Sequence, residues 1–256
     1  MTHRPTEQTH IDMHVKVLDD QVVRRAKSIG LDAIVYAPHF TRLPTIERQA
    51  ARHSDEELLV IPAREIFTGD WRTRRHLLAI GLSDPVPDFI TMEGALAELD
   101  RQDAAVLIPH PEFLNVSLSR PEITAHAARI DAVETYNAKL FPHQNWRAQR
   151  IARDLDIPAF GSSYAHLTRT VGEVWTTFET SIETPGELVD AIRSGTDRRV
   201  FRRSGIDHHV SGAIEFGHLA YENSWKKFDR LLLSGQEPTH PENLLYSGRF
   251  DRVSVY

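Results

Sequence analysis

A chain of 256 residues with 41% hydrophobic content is long enough for one large α/β barrel or two small domains. A net charge of −6 gives no indication of a surface built to bind a polyanion or polycation, and the absence of cysteine excludes disulfides, thiolate metal sites and a cysteine nucleophile. No window approaches the roughly 18 apolar residues that span a membrane, and residues 1–9 lack an apolar signal core, so the expected location is the cytoplasm with no membrane partner.

Residues 1–9 are expected to be a frayed tail. Residues 10–17 alternate, with His10, Asp12, His14 and Lys16 on one face and Ile11, Met13, Val15 and Val17 on the other. That period predicts a strand whose polar face looks into a barrel lumen near its mouth. Asp19 and Asp20 open a helix over 21–29, which Gly30 ends. A second strand covers 32–37, with Pro38 and His39 just beyond it. A helix over 46–53 leads to a third strand within 57–67. This third run is apolar and rich in β-branched residues, and it delivers one carboxylate, Glu65, near its end, as a buried parallel strand presents a functional group. A loop at 68–73 carries Asp70, Trp71 and Arg72. His76 then opens a fourth strand over 76–81.

Pro85 and Pro87 break the chain before a helix at 92–101. The fifth strand, 104–108, runs into Pro109-His110-Pro111, where the two prolines predict an extended loop around the histidine. A helix with proline near its start covers 121–129, and the sixth strand, 131–137, contains Glu134. A basic amphipathic helix at 142–155 precedes the seventh strand within 157–164, with His166 after it. An extra strand at 171–178, a helix at 185–194, a long helix at 212–233 and a loop-rich tail complete the chain.

The βα alternation predicts a parallel sheet, and about seven strands with functional groups at their C-terminal ends favour a closed barrel. Glu65 and five histidines, His14, His39, His76, His110 and His166, lie at strand ends and suggest a metal centre at one mouth. Arg198, Arg199, Arg202 and Arg203 form a basic cluster suited to phosphate or a polynucleotide, and read more simply as a solvated helix or strand end. Arg147, Arg150 and Arg153 share one helical face toward solvent. His208 and His209 fall in a loop, and Trp225 and Phe228 are packing residues of the last helix.

Taken in order, several segments resemble the motifs of the polymerase and histidinol phosphatase (PHP) family of metal-dependent phosphoesterases, over residues 10–195. They are Asp12-Met13-His14-Val15-Lys16, Asp32-Ala33-Ile34 through His39, Pro62-Ala63-Arg64-Glu65, the His76-led strand, Pro109-His110-Pro111, and Ser162-Ser163-Tyr164-Ala165-His166 with Val171-Gly172. The resemblance implies a distorted seven-stranded (β/α) barrel over 10–195, with residues 196–256 forming a C-terminal helix and tail packed on it. It implies up to three divalent ions, of zinc, manganese or iron, that activate water and hold phosphate oxygens. The implied activity is hydrolysis of a phosphomonoester or phosphodiester, such as a nucleotide or a nucleic-acid end.

This sequence departs from the family pattern where Lys16 stands for a histidine, Pro38 for an aspartate and Tyr164 for an aspartate. The resemblance assigns one ion to the positions of His14, Lys16, Glu65 and Tyr164. A second goes to Glu65, His76 and His110, and a third to His39 and His166 with Asp19 or Asp20. Protonated lysine has no lone pair for a metal, so fewer than three ions are expected. Glu65, His110 and Lys16 are the expected catalytic residues, with Lys16 close to Glu65 in place of an ion. The alternative is a catalytically weak PHP-like barrel that binds phosphate ligands or RNA, as in a ribonuclease P-type protein subunit.

Overall fold

A computed structural model of the chain describes residues 8–39, 41–70, 73–113 and 116–205, with residues 210, 214, 217, 218 and 221. The expectations for the helix at 212–233, the tail beyond it, residues 1–7, Trp71, Arg72, His208, His209, Trp225 and Phe228 lie wholly or mostly outside the described residues. Along the described residues run β1 (Thr9–Val15), α1 (Asp20–Ser28), β2 (Ala33–Tyr36), α2 (Leu43–His53), β3 (Leu59–Thr68) and β4 (Arg75–Ile80). They are followed by α3 (Met92–Arg101), β5 (Ala105–Ile108), α4 (Arg120–Ala125), β6 (Ala132–Asn137), α5 (Pro142–Asp154), β7 (Ala159–Ser162), β8 (Val174–Phe178), α6 (Pro185–Arg193) and β9 (Arg198–Arg202).

Polar side chains fix where helices begin. The Asp19 carboxylate accepts from the N–H groups of Gln21 and Val22 and caps α1. Thr91 accepts from Gly94 N–H at α3, and Thr184 with Glu187 forms a capping box at α6. Capping removes Asp19 from the candidate ligands. Asp20 faces His53 across 3.6 Å, away from the barrel mouth.

The described strands form one sheet in the order β7-β6-β5-β4-β3-β2-β1-β8-β9. The barrel strands number seven, and an antiparallel pair, β8 and β9, extends the sheet past residue 195. The expected all-parallel arrangement is corrected at β4, which runs antiparallel to both β3 and β5. The cause is the length of the connection. Only residues 69–74 join β3 to β4, whereas a parallel crossover needs about a dozen residues or more. As a result the start of β4 lies at the mouth beside the ends of the parallel strands, and His76 leads its strand into the site.

The alternation expected along β1 breaks at a bulge. Asp12 pairs with Ile34, but the next partners, Val15 and Tyr36, are one residue out of step. Ile11 and Met13 lie in the lumen cluster with Val35, Ala63 and Leu107, while Val15, Ile34 and Tyr36 lie outside with residues of α1 and α2. One extra residue exchanges the faces. Asp12 therefore leaves the lumen face, and His14 and Lys16 gain the mouth. Asp12 instead accepts from the N–H groups of Ser163 and Gly172, at 2.9 Å each, and ties β1 to the chain after β7.

β1 also changes partner along its length. Residues Thr9, His10 and Ile11 pair with β8, whereas Val15 bridges Ala165 and the Lys16 N–H donates to the Ala165 carbonyl at 2.9 Å. The barrel thus closes directly at the mouth, while β8 and β9 fill the seam below it. There the Gly161 N–H donates to the Thr176 hydroxyl at 2.9 Å, and that hydroxyl donates back to the Gly161 carbonyl at 3.0 Å. Leu188, Val189, Ala191 and Ile192 of α6 join the lumen cluster and plug the base. Helices α1 and α2 cover the outer faces of β1 to β3, and α3 to α5 cover β4 to β6. Each fully buried Ile, Leu or Val contributes about 1.5–3 kcal/mol, so the closed core sets a stiff frame for the mouth.

The seam tests this closure. A Cβ on Gly161 would lie 2.3 Å from Val200 Cγ1 and 3.0 Å from Val174 Cγ1. Gly161→Ala is expected to cost about 1–3 kcal/mol by overpacking, read as a lowered urea midpoint. Adding Val200→Ala is expected to recover most of the loss.

Candidate metal centre

Glu65, near the end of β3, is 1% exposed. A buried carboxylate is costly unless cations or donors surround it. Here they come from four other segments. Lys16, just past the β1 bulge, places Nζ 2.5 Å from Glu65 Oε2 and also donates to the Ala37 carbonyl at 2.5 Å. His39, beyond β2, has Nδ1 3.3 Å from the same carboxylate oxygen. His76 Nδ1 and His110 Nε2 each lie 3.0 Å from Oε1. The β3–β4 register sets His76 opposite Phe67, two residues from Glu65 on the same face.

His14 and His166 complete the mouth. The His14 ring is 4.7 Å from the Tyr164 ring and 6.4 Å from that of His110. The His166 ring is 4.9 Å from Tyr164 and 6.0 Å from His39. His218, from the C-terminal segment, brings its ring within 6.5 Å of His166. The structure thus gathers Glu65, Lys16 and all five histidines at one mouth, and leaves Asp12, Asp19 and Asp20 elsewhere.

The donor set suits a cation. Glu65, His76 and His110 each offer a ligand atom, and these atoms lie within 4.8 Å of one another. Among the described residues neither ring nitrogen of His14 has a hydrogen-bond partner, nor does Nε2 of His76, although all three are buried. Buried nitrogens are rarely left unsatisfied, and imidazole nitrogens beside a carboxylate are what a divalent ion would use.

Further polar residues hold this set in place, and motif reading did not find them. The Ser117 hydroxyl lies 2.7 Å from His110 Nδ1 and orients the ring so that Nε2 faces Glu65. His110 is not extended, as its flanking prolines suggested, but left-handed at φ 35°. Its N–H donates to Glu134 Oε2 at 2.5 Å, and Glu134 also accepts from the Ser162 hydroxyl and the Asn137 amide. That backbone bond selects the bend over the extended form. Lys139, between β6 and α5, is 4% exposed and brings Nζ to His166 Nδ1 and 4.3 Å from the Tyr164 ring centre. Glu134 lies within β6, Asn137 ends that strand, and Lys139 follows two residues later. Of these, only Asn137 falls where the strand-end rule that singled out the histidines could have found it.

Burial pushes His14 and His39 well below the usual imidazole range, and the Lys16 charge adds to it. Burial and Lys139 do the same to His166, while burial brings His76 down to about 4 despite Glu65. Burial also lowers Lys16, against the pull of Glu65. For Glu65 burial acts upward, but Lys16, His76 and His39 outweigh it and hold the carboxyl well below its ordinary range. At neutral pH the mouth therefore holds an anionic Glu65 and neutral imidazoles at His14, His39, His76 and His166.

A family model described as "PHP-associated" matches residues 142–196, from the start of α5 to just past α6. No curated protein matches the sequence. Among solved structures, PsfC from Pseudomonas syringae PB-5123 is similar with a TM-score of 0.64 at 17% identity, over 84% of this chain and 100% of that one. A two-domain protein from Bacteroides vulgatus, containing a predicted PHP-like metal-dependent phosphoesterase, is similar with a TM-score of 0.56 at 20% identity, over 83% of this chain and 72% of that one. Endonuclease Q, in complex with a 27-mer duplex carrying an abasic lesion at its active site, is similar with a TM-score of 0.56 at 17% identity, over 75% of this chain and 58% of that one. No helix among the described residues is long and apolar enough to cross a membrane.

Two measurements follow from the charges at the mouth. A histidine with a lowered pKa binds fewer protons folded than unfolded, so its contribution to stability is complete above about pH 6.5 and is lost as pH falls from there toward its folded value. The stability of the metal-free protein is expected to drop steeply from about pH 6.5 to about 4, each such histidine adding up to about 1.4 kcal/mol per pH unit. Urea unfolding across that range reads the slope. Separately, Lys16→Met leaves Glu65 without its ammonium partner and is expected to cost about 3–5 kcal/mol without metal. Added zinc or manganese should raise its melting temperature more than that of the unaltered chain.

Proposed function

Because this chain has the PHP fold, we propose that it is a divalent-metal-dependent phosphoesterase that hydrolyses a phosphomonoester or phosphodiester by attack of water. One observation carries the reading: the buried Glu65, His76 and His110, whose ligand atoms lie within 4.8 Å of one another. When bound, a zinc, manganese or iron ion there would polarise a phosphate oxygen and acidify a water.

The chain's own residues supply the rest. Glu65 Oε1, His76 and His110 would hold the ion, with the unpartnered nitrogens of His14 beside them. Ser117 keeps the His110 ring aimed, and Glu134 holds the backbone bend that carries it. Lys16 keeps a positive charge at Glu65 Oε2, where the family motifs place a further ion, so fewer than three ions are needed. Its ammonium is also placed to oppose charge that builds on the phosphoryl oxygens. His39 and His166 line the other side of the mouth.

A nucleotide or a nucleic-acid end is the proposed substrate class. The phosphoesterase assigned to the Bacteroides protein and the lesion-bearing duplex held by endonuclease Q both support phosphoester substrates. A barrel that only binds phosphate or RNA is the weaker reading, because it has no use for the anionic Glu65 set within 4.8 Å of the His76 and His110 nitrogens, which would repel a phosphate without a cation between them.

Protein purified without chelator is expected to contain zinc, manganese or iron at fewer than three ions per chain, and to turn over bis(p-nitrophenyl) phosphate, p-nitrophenyl phosphate or an end-labelled oligonucleotide. Prolonged chelation should abolish turnover. Glu65→Ala with His110→Ala should lower both metal content and rate, the latter by more than about 100-fold. Turnover that survives both treatments would overturn the reading.

A further inference from the structure

Helix α5 begins shortly after β6 ends at Asn137, so its first turn stands at the rim of the mouth. Asn145 pins it there. Its Oδ1 accepts from the Asn137 N–H at 3.0 Å, and its amide donates to the Asn137 and Leu140 carbonyls at 3.2 and 3.4 Å. The Phe141 N–H donates to Gln144 Oε1 at 2.9 Å and fixes the residue that caps the helix. The Asn137 amide donates to Glu134, which holds the His110 backbone. One network therefore sets the head of α5 relative to the metal centre.

The helix buries Asn145, Ala148, Ile151 and Ala152. Its exposed side carries His143, Trp146, Arg147 and Arg150 at the i, i+3, i+4 and i+7 spacing of one helical face, with Phe141 at its head. Phe141 and Trp146 are 53% and 55% exposed, so burial in the core does not account for either ring. The Phe141 and His143 rings lie 8° from parallel with centres 5.9 Å apart, and the Arg150 guanidinium sits 4.8 Å from the centre of the Trp146 ring. At 1.5 Å per residue the stripe runs about 13 Å down the helix from the rim.

The charge of this face is opposite to that of the whole chain, which is −6. Helix α5 carries Arg147, Arg150 and Arg153 but a single carboxylate, Asp154 at its last residue, and Arg120 holds that carboxylate at 2.9 Å. Among the described residues none of the three arginines of α5 enters an ion pair. Flat rings beside unpaired cations, on a surface that leads away from a phosphoester site, match a polynucleotide with unpaired bases. Such bases stack on aromatic side chains and guanidinium planes whatever their sequence, while arginines face the backbone phosphates. A duplex keeps its base faces stacked on one another and has none to offer along such a stripe.

We propose that Phe141, His143 and Trp146 form a stacking platform for the bases of a single-stranded nucleic acid whose phosphoester enters the metal centre, with Arg147 and Arg150 facing its backbone. The proposal rests on the phosphoesterase reading and narrows its substrate class to single-stranded polynucleotides. The platform holds the strand and takes no part in the chemical step.

Fluorescence anisotropy on the protein as purified with its metal tests this. The probes are a short end-labelled oligothymidylate with phosphorothioate linkages that resist cleavage, an abasic oligomer of the same length and linkage, and the thymidylate annealed to its complement. The single strand is expected to bind about tenfold or more tightly than the abasic oligomer, and more tightly than the duplex. Trp146→Ala and Phe141→Ala should each weaken single-strand binding by about tenfold, and Trp146→Phe should keep most of the affinity. Both rings are more than half exposed, so these variants are expected to fold, as circular dichroism melting will check. Equal binding of the base-bearing and abasic oligomers overturns the platform. So does a Trp146→Ala variant that weakens both equally, or one that alters only the sedimentation of the free protein, which marks a contact between copies of this chain. The two readings fail separately. Base-dependent binding that is lost in the variants, without turnover of any phosphoester, would sink the proposed reaction and keep the platform. Turnover of bis(p-nitrophenyl) phosphate with equal affinity for the base-bearing and abasic oligomers would do the reverse.

Discussion

The structure is arranged around the need to neutralise Glu65. A carboxylate taken fully out of water costs several kcal/mol even after relaxation, which is a large part of the stability of a domain this size. Its partners come from the β1 bulge, the chain after β2, the start of β4 and the chain after β5. Only His76 is reached through the short β3–β4 connection; Lys16, His39 and His110 are 26 to 49 residues away, so the charge is fully balanced only once the barrel has closed. The lumen core and the α6 plug supply the apolar burial that makes this closure favourable.

Lysine changes the character of such a centre. Lys16 is covalently part of the chain, so its positive charge at Glu65 Oε2 does not depend on metal supply, although burial makes its proton easier to lose than that of a free lysine. It offers three N–H donors and no Lewis acidity, and it cannot acidify a water. Lys16 and Lys139 both lie near the Tyr164 ring, at 5.5 and 4.3 Å from its centre, and Lys16 is bonded to Glu65, so positive side chains and imidazoles share the mouth with one carboxylate.

Backbone strain marks the same corner. His110 and Tyr164 both take positive φ, at 35° and 50°, which costs an L-residue with a Cβ roughly 1–2 kcal/mol. At His110 the charge-assisted bond to Glu134 offsets the cost, and burial still raises the Glu134 carboxyl despite the donors around it. At Tyr164 the ring packs among His14, His110 and His166. In both places the tertiary setting holds a conformation that the local sequence does not favour.

The sequence by itself determined most of the elements and most of the site. Apolar runs ending in Glu65 or a histidine marked the strands and the mouth, because burial period and strand-end placement are local properties of the chain. The alternation pointed to a parallel sheet and missed the reversal of β4, although the six residues between β3 and β4 are too few for a parallel crossover. Only the tertiary structure decided the rest. The β1 bulge sent Asp12 outward and His14 inward, because its extra residue is defined by register against β2, which a period of two cannot reveal. Likewise β8 and β9 entered the seam because β1 has one partner at its start and another at its end. A lysine in a loop carries no sign of burial in its own sequence. Lys139 is buried because Tyr164, His166 and the Glu134 network, distant in the chain, close around it.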